Sequence, residues 1–215
     1  SADPSVWDGI ESGLMTLASP DPQAFRPPGE GPNVLQVSLP TNFKVAGFPD
    51  PEHTRLLEDL AADIEASRLT VDGEEIALPV KLKVHDSVFV PLAKWAMLLT
   101  GNYRCVTPDG PRAIREAVHA DPALSREVYD WVRGVCIGLG ADPADLVPFE
   151  KYAAAAEGLA KPSSAARALY AGAPAIERVD RLVRDLAAPL GMSHPEIDRT
   201  VALVDDRLDA NRAAA

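Results

Sequence analysis

"LAKWAMLLTGNYRC", residues 92–105, sets a lysine into a run of side chains suited to burial. Trp95, Ala96, Met97, Leu98 and Leu99 follow Lys94 directly, and Asn102 closes the run. The stretch reads as a helix over 88–102 and opens the helical half of the chain. An ammonium without a partner is costly to bury, so Lys94 must reach water or face a partner. Lys94, Leu98 and Asn102 are spaced i, i+4, i+8 and share one helix face. A lysine and an amide on one stripe suit a cleft in which the ammonium holds a carboxylate, or gives a proton to a carbonyl oxygen, while the amide orients the ligand. The plainer arrangement has Lys94 snorkelling to the surface at the helix start and Asn102 capping the end. Spacing alone favours the plainer one.

Working outward, the texture from residue 86 onward is helical. Further helices are expected near 111–119, 123–140, 143–160, 163–172, 173–190 and 195–212. Gly101, Gly140-Ala141-Asp142-Pro143, Pro162 and Gly191 supply the stops, and "ADP" and "SHPE" the starts. Gly140 reads as a C-terminal cap. The mixed charges of the last two helices, among them Glu177, Arg178, Asp180, Arg181 and Asp205, read as a mostly solvated face. The terminal "ANRAAA" is expected to fray.

The first half differs. Residues 1–32 are proline-rich and read as a linker, with room for one short helix within 5–18. "NVLQVSL" (33–39) and "FKVAGF" (43–48) are strand candidates. "DPEHTRLLEDLAADIEAS" (50–67) is a helix: Asp50 can cap it, Pro51 takes its first position, and Leu56, Leu57, Leu60 and Ile64 share a face. "RLTVDGEEIALPVKLKV" (68–84) reads as a hairpin about Asp72-Gly73, with Pro79 at an edge or bend. The expected fold is mainly α: a small α/β segment over 33–85, too short of strands for a complete doubly wound sheet, then a helical domain over 86–212.

Composition narrows the function. The chain has 215 residues, 47% hydrophobic and 25% charged, which are ordinary globular values. Its net charge of −11 argues against non-specific binding to nucleic acid or to an anionic membrane face. No apolar run reaches the roughly 20 residues that span a bilayer, and no signal peptide is visible, so a cytoplasmic protein is expected. The chain opens on Ser1 rather than methionine, which fits a piece of a longer protein. Cys105 and Cys136 lie in apolar helical contexts and read as buried thiols, with no C-x-x-C pair. His53, His85, His119 and His194 show no metal-ligand spacing and read as surface or loop histidines. Gly138-x-Gly140 lacks the third glycine and the preceding strand of a dinucleotide fingerprint, and no P-loop, G-x-S-x-G or H-E-x-x-H is present.

A second constellation is "KPSSAARALYAGAPAIERVD" (161–180). Pro162-Ser163-Ser164 opens a helix, so both hydroxyls sit where free N–H groups and the positive dipole end favour an anion. Glu177 follows with Arg178, Asp180 and Arg181. An N-cap serine before an ordinary charged helix is the plainer arrangement, and spacing alone favours that too.

Together the two stretches add an order of motifs. A lysine-to-asparagine helix is followed by a long helical hairpin with Gly140-Ala141-Asp142-Pro143 between its arms. Then come "P-S-S-x-x-x-x-L-x-x-G-x-x-x-I-E" and a final helix preceded by "G-M-S-H-P". This order resembles the C-terminal helical domain of the ketopantoate reductase family (2-dehydropantoate 2-reductases) over roughly residues 86–210. Residues 33–85 resemble, more loosely, the trailing edge of that family's nucleotide-binding domain.

The resemblance implies reduction of a 2-keto acid to a 2-hydroxy acid in a cleft between two domains. It makes Lys94 the general acid, maps the second of two family asparagines to Asn102, and maps a substrate-contacting serine to Ser164 with Ser163 beside it. The family glutamate falls near Glu177, although a gapless match lands on Ile176. Leu98 stands where the family has its first asparagine, and Trp95 follows the lysine where the family tryptophan precedes it by two residues. One amide lost to leucine suits a different or more apolar substrate. The implied cofactor is NADP, held by a Rossmann domain whose glycine-rich turn is not in this sequence. A hydride reduction needs that cofactor, so activity from this chain alone is not expected. The partners implied are a homodimer mate or a separate Rossmann domain. The alternative is a stand-alone helical binding or dimerisation module without catalysis.

Overall fold

The structure, a computed structural model, describes residues 5, 8–19, 29–31, 34 and 41–214. Apart from Val34, the strand expected over 33–39 lies outside the described residues, as does much of the proline-rich segment. The fold is mainly helical with little sheet. It divides into two compact units whose boundary falls between Leu92 and Ala93.

The first unit is built on a β-α-β crossover. Strand β1 (Thr41–Ala46) leads into helix α1 (Pro51–Ala66). Asp50 caps α1 by accepting the Glu52 N–H at 2.8 Å, and Pro51 occupies the first turn, where no N–H is needed. Strands β2 (Arg68–Val71) and β3 (Glu74–Ala77) form the expected hairpin. Asp72 and Gly73, at φ of 52° and 85°, give the positive pair of angles that a two-residue hairpin turn requires. The chain then departs from the expectation. Strand β4 (Val80–His85) does not prolong the hairpin after Pro79; it pairs in parallel with β1, from Thr41 opposite Val80 to Ala46 opposite His85. Proline has no N–H to continue a ladder, so the hairpin stops and β4 is released to β1.

On its other side β1 is flanked by residues 17–19: Ala46 N–H donates to Leu17 O at 2.9 Å and Ser19 N–H to Lys44 O at 2.7 Å. Within the helix expected over 5–18, the described residues include a 3-10 turn at Ser12–Leu14. The short helix α2 (Phe89–Leu92) completes the unit.

The second unit packs around one irregular helical run. Helix α3 (Lys94–Met97) passes into a π turn at Leu98–Asn102 and a 3-10 turn at Tyr103–Cys105. A short ladder of β5 (Val106–Thr107) and β6 (Gly110–Pro111) follows. Then come helices α4 (Ile114–His119), α5 (Pro122–Gly138), α6 (Phe149–Ala156), α7 (Ser164–Tyr170), α8 (Val179–Ala187) and α9 (Pro195–Ala213). All five residues of the π turn are buried, and α4, α5, α7 and α8 pack against it. The expected helices over 143–160 and 173–190 are shorter, because 146–148 and 173–178 are not helical.

Local chemistry sets the ends of these helices. Asp121 accepts the Leu124 N–H at 3.0 Å and starts α5. Gly140, at φ 109°, closes it: Gly140 N–H donates to Ile137 O at 2.9 Å and Ala141 N–H to Cys136 O at 3.0 Å, the paired bonds of a Schellman cap. In "SHPE" the capping residue is His194. His194 Nδ1 accepts the Glu196 N–H at 3.2 Å, and this histidine, expected at the surface or in a loop, is 6% exposed. The expected fraying of the last residues also gives way. α9 runs to Ala213, and buried Asn211 donates from Nδ2 to Leu169 O at 2.8 Å and Ala173 O at 2.9 Å, satisfying carbonyls at the end of α7. Cys105 and Cys136 are free and buried. Among the described residues no helix is long and apolar enough to cross a membrane.

Candidate functional site

Lys94 stands in the first turn of α3, half-buried, between buried Ala93 and Trp95. Leu98 and Asn102 are each 6% exposed. The i, i+4, i+8 stripe therefore turns inward at its second and third positions. The π turn is part of the cause. Tyr103 N–H reaches back to Leu98 O, five residues away, so the helix is widened where Asn102 sits. Asn102 makes no side-chain cap to the following 3-10 turn.

Carbonyls along this irregular run are taken up by side chains, two from other segments and one from the run itself, as buried acceptors require. Tyr152 Oη donates to Met97 O at 3.0 Å, Arg104 Nη1 to Thr100 O at 3.2 Å, and Ser163 Oγ to Asn102 O at 2.7 Å. Gly101 makes room for this arrangement, because a Cβ there would overlap the Tyr152 hydroxyl.

The serine segment meets the same place. Ser163, 2% exposed, is the N-cap of α7: its Oγ accepts the Ala166 N–H at 3.1 Å while donating to Asn102 O. Ser164 follows as the first residue of α7 and is half-buried. The glutamate segment is tied in by its main chain. Tyr103 Oη donates to Glu177 O at 2.7 Å and accepts the Val179 N–H at 3.0 Å. Burial, then the charge of Asp180, push the Tyr103 phenol above its ordinary range, so it stays protonated as a donor. The Glu177 residue itself is exposed and Ile176 is half-buried. Two hydrogen bonds thus gather the segments at 102–103, 163–164 and 177, with Lys94 two turns earlier on the same run.

Two charged features went unread in the sequence. The first is an exception among the charges read onto the last two helices, where Glu177, Arg181, Asp185, Asp198, Arg199 and Asp206 are exposed as expected. Asp180 is fully buried, and Arg178 grips it with Nε to Oδ1 and Nη2 to Oδ2, both at 2.9 Å, while Arg178 Nη1 pairs with Asp205 Oδ1. Burial pulls the Arg178 guanidinium down, but the two carboxylates outweigh it and hold the group above its ordinary value. The second is a cleft of about 420 Å³ lined by Arg104, Arg112 and Arg199 together with Glu196, Asp109 and Asp121. Arg104, 5% exposed, is the deeply buried cation of the 92–105 stretch; burial lowers its guanidinium, and Glu196 opposes that. An arginine after "LLTGNY" carries the same signal as Lys94, a charge in an apolar run, and could have been found by it. Lys94, Asn102, Ser163, Ser164 and Glu177 are not among the residues lining this cleft.

The chain matches no family model, no curated protein and no solved structure.

The turn from β1 into α1 does not fit the phosphates of NADP. It is the place to look, because a helix N-terminus could receive a pyrophosphate. There Asp50 already occupies the Glu52 N–H, Pro51 offers none, and Glu52 adds negative charge. The space beside Gly47 is filled by Thr54, whose Oγ1 would lie 3.0 Å from an added Cβ. Among the described residues no group of three or more histidines, cysteines and carboxylates could hold a metal ion.

Proposed function

We propose that this chain is the substrate-binding and dimer-forming part of a ketopantoate-reductase-like, NADP-dependent oxidoreductase, which reduces a 2-keto acid to a 2-hydroxy acid with the nucleotide held by protein beyond the described residues. The observation that carries the reading is the 2.7 Å hydrogen bond from Ser163 Oγ to Asn102 O. It joins two segments, 61 residues apart, that the resemblance assigns independently to the substrate. The Tyr103–Glu177 bond adds the third. In this reading Lys94 holds the keto oxygen and gives it a proton, Ser164 and Asn102 orient the acid, and Glu177 positions the ligand from the segment between α7 and α8.

A second reading, a helical binding or dimerisation module without catalysis, is favoured by burial. Asn102 and Ser163 are 6% and 2% exposed, and the Ser163 hydroxyl is already engaged by Asn102 O and Ala166 N–H. Titrating the chain with 2-ketopantoate and shorter 2-keto acids, followed by calorimetry, separates the two. The reductase reading expects saturable binding that weakens about tenfold, or roughly 1.4 kcal/mol, in Lys94→Ala and in Ser164→Ala, with the melting temperature unchanged. If no 2-keto acid binds, the module reading replaces it.

A further inference from the structure

The cleft at Arg104, Arg112 and Arg199 holds none of the residues assigned to the keto acid, and we infer that it is a separate site for a small aliphatic monocarboxylate. Its volume of about 420 Å³ suits a small molecule, since ligand pockets run from roughly 300 to 1,000 Å³. The chemistry follows from which charges are already engaged. Glu196 Oε1 accepts from Arg104 Nε at 3.3 Å, and Oε2 accepts from Arg199 Nη1 at 3.2 Å. Arg104 Nη1 also donates to Ser125 Oγ at 2.9 Å and Thr100 O at 3.2 Å. Arg104 is thus an anchor of the fold.

Arg112 differs. Its Nε donates to Arg104 O at 2.8 Å, which fixes the guanidinium plane against the cleft wall. No carboxylate among the described residues forms an ion pair with it, whereas Arg104 and Arg199 are both paired to Glu196. A guanidinium pinned through Nε presents its two terminal nitrogens as a planar fork, the geometry that matches a carboxylate bidentately.

The remaining lining sets the rest of the ligand. Val106, Leu124 and Leu203 give an apolar wall for an aliphatic tail. Asp109 and Asp121, both exposed, place negative charge on the same cleft. One ligand charge is met by Arg112, and a second would face these aspartates, which disfavours dicarboxylates and phosphates.

The test is calorimetric titration of the whole chain at low ionic strength with 4-methylpentanoate, acetate, succinate and inorganic phosphate. The expected result is saturable binding of 4-methylpentanoate, about tenfold weaker for acetate, and weaker again for succinate and phosphate. Arg112→Gln should weaken 4-methylpentanoate binding at least about tenfold, and Arg199→Gln, on an exposed side chain, by about threefold. Lys94→Ala should leave it unchanged, which separates this site from the keto-acid site. If Arg112→Gln does not fold, Leu203→Asp, at a half-buried position, places a carboxylate in the cleft and should abolish binding instead. The inference is overturned if 4-methylpentanoate does not saturate, if phosphate or succinate binds as tightly, or if binding survives both Arg112→Gln and Leu203→Asp.

Discussion

In the helical unit, α5 keeps Val128, Tyr129, Val132 and Val135 at zero exposure, and α9 does the same with Val201 and Val204. In the β-α-β unit, α1 has no buried residue at all, and Leu56 and Leu60 stand 66% and 49% exposed. Both kinds of helix carry apolar residues at helical spacing. The difference is what each has to pack against. Around the π turn the helices meet several neighbours, so a stripe is covered along its length. α1 lies against β4, one strand of a two-stranded parallel sheet, which covers only the side bearing Leu57, Ala61 and Ile64. Periodicity predicts that a helix has an apolar face; burial also needs a surface to meet it.

The comparison predicts that disrupting the helical unit costs the most stability. Arg178→Ala should have the largest effect. It leaves the fully buried Asp180 carboxylate without its bidentate partner, and breaking a buried pair from one side costs about 3–5 kcal/mol. Urea denaturation of the whole chain measures this, and Arg178→Ala with Asp180→Ala should recover part of the loss. A cost below about 1 kcal/mol would place this pair with ordinary surface pairs.

Gly101→Ala comes next. The added methyl meets the hydroxyl of Tyr152, a ring that cannot swing away because it is 5% exposed and stacked on Tyr129 at 5.5 Å. Overpacking plus loss of the bond to Met97 O should cost about 3 kcal/mol. In a Tyr152→Phe background the hydroxyl is gone, and the same substitution should cost less. Equal costs in the two backgrounds would mean that the clash is not with Tyr152.

Alkaline pH gives a third contrast, because among the described residues Cys105, Cys136, Tyr103, Tyr129 and Tyr152, all raised by burial, lie in the helical unit. Burial pushes the Cys136 thiol up to about 11 from an ordinary 9.0. The folded state therefore holds this proton after the unfolded chain has lost it. The stabilisation is complete below pH 9 and is lost as pH rises through about 11. For one thiol this amounts to about 2–3 kcal/mol. The urea midpoint should fall over that window, and Cys136→Ala should flatten part of the fall.

What was legible follows the same division between local and distant causes. Asp50-Pro51 and Asp121-Pro122 announced helix starts because a cap involves neighbours in sequence. The Asp72-Gly73 turn was legible for the same reason. The parallel pairing of β4 with β1 was not, since a hairpin pattern says nothing of a partner beyond α1. Nor was the π turn, because the apolar spacing of 94–102 reads as an ordinary helix and Ser163, which takes up Asn102 O, lies 61 residues away. Arg178 and Asp180 looked solvated because residues two apart do not face each other on a helix. Arg178, however, is the N-cap residue outside α8, so its side chain is free to reach Asp180. At the candidate site, the sequence paired the serine and asparagine segments, and the structure joins them through the main-chain oxygen of Asn102 rather than its amide.

The smallest effect should come from the β-α-β unit. Leu56→Gln and Leu60→Gln remove two leucines that sequence periodicity would place in a core. Truncating buried leucines costs about 2–5 kcal/mol each, whereas exposed substitutions usually stay within about 0.5 kcal/mol. Glutamine has nearly the helix propensity of leucine, so the double variant isolates burial from helix formation. At 66% and 49% exposure the pair should leave the urea midpoint almost unmoved. Leu57→Gln, on the half-buried side of α1, should cost more than both together. The reverse order would mean that α1 presents its other face to protein, and the contrast between the two units would then reflect which face of α1 is covered rather than how much.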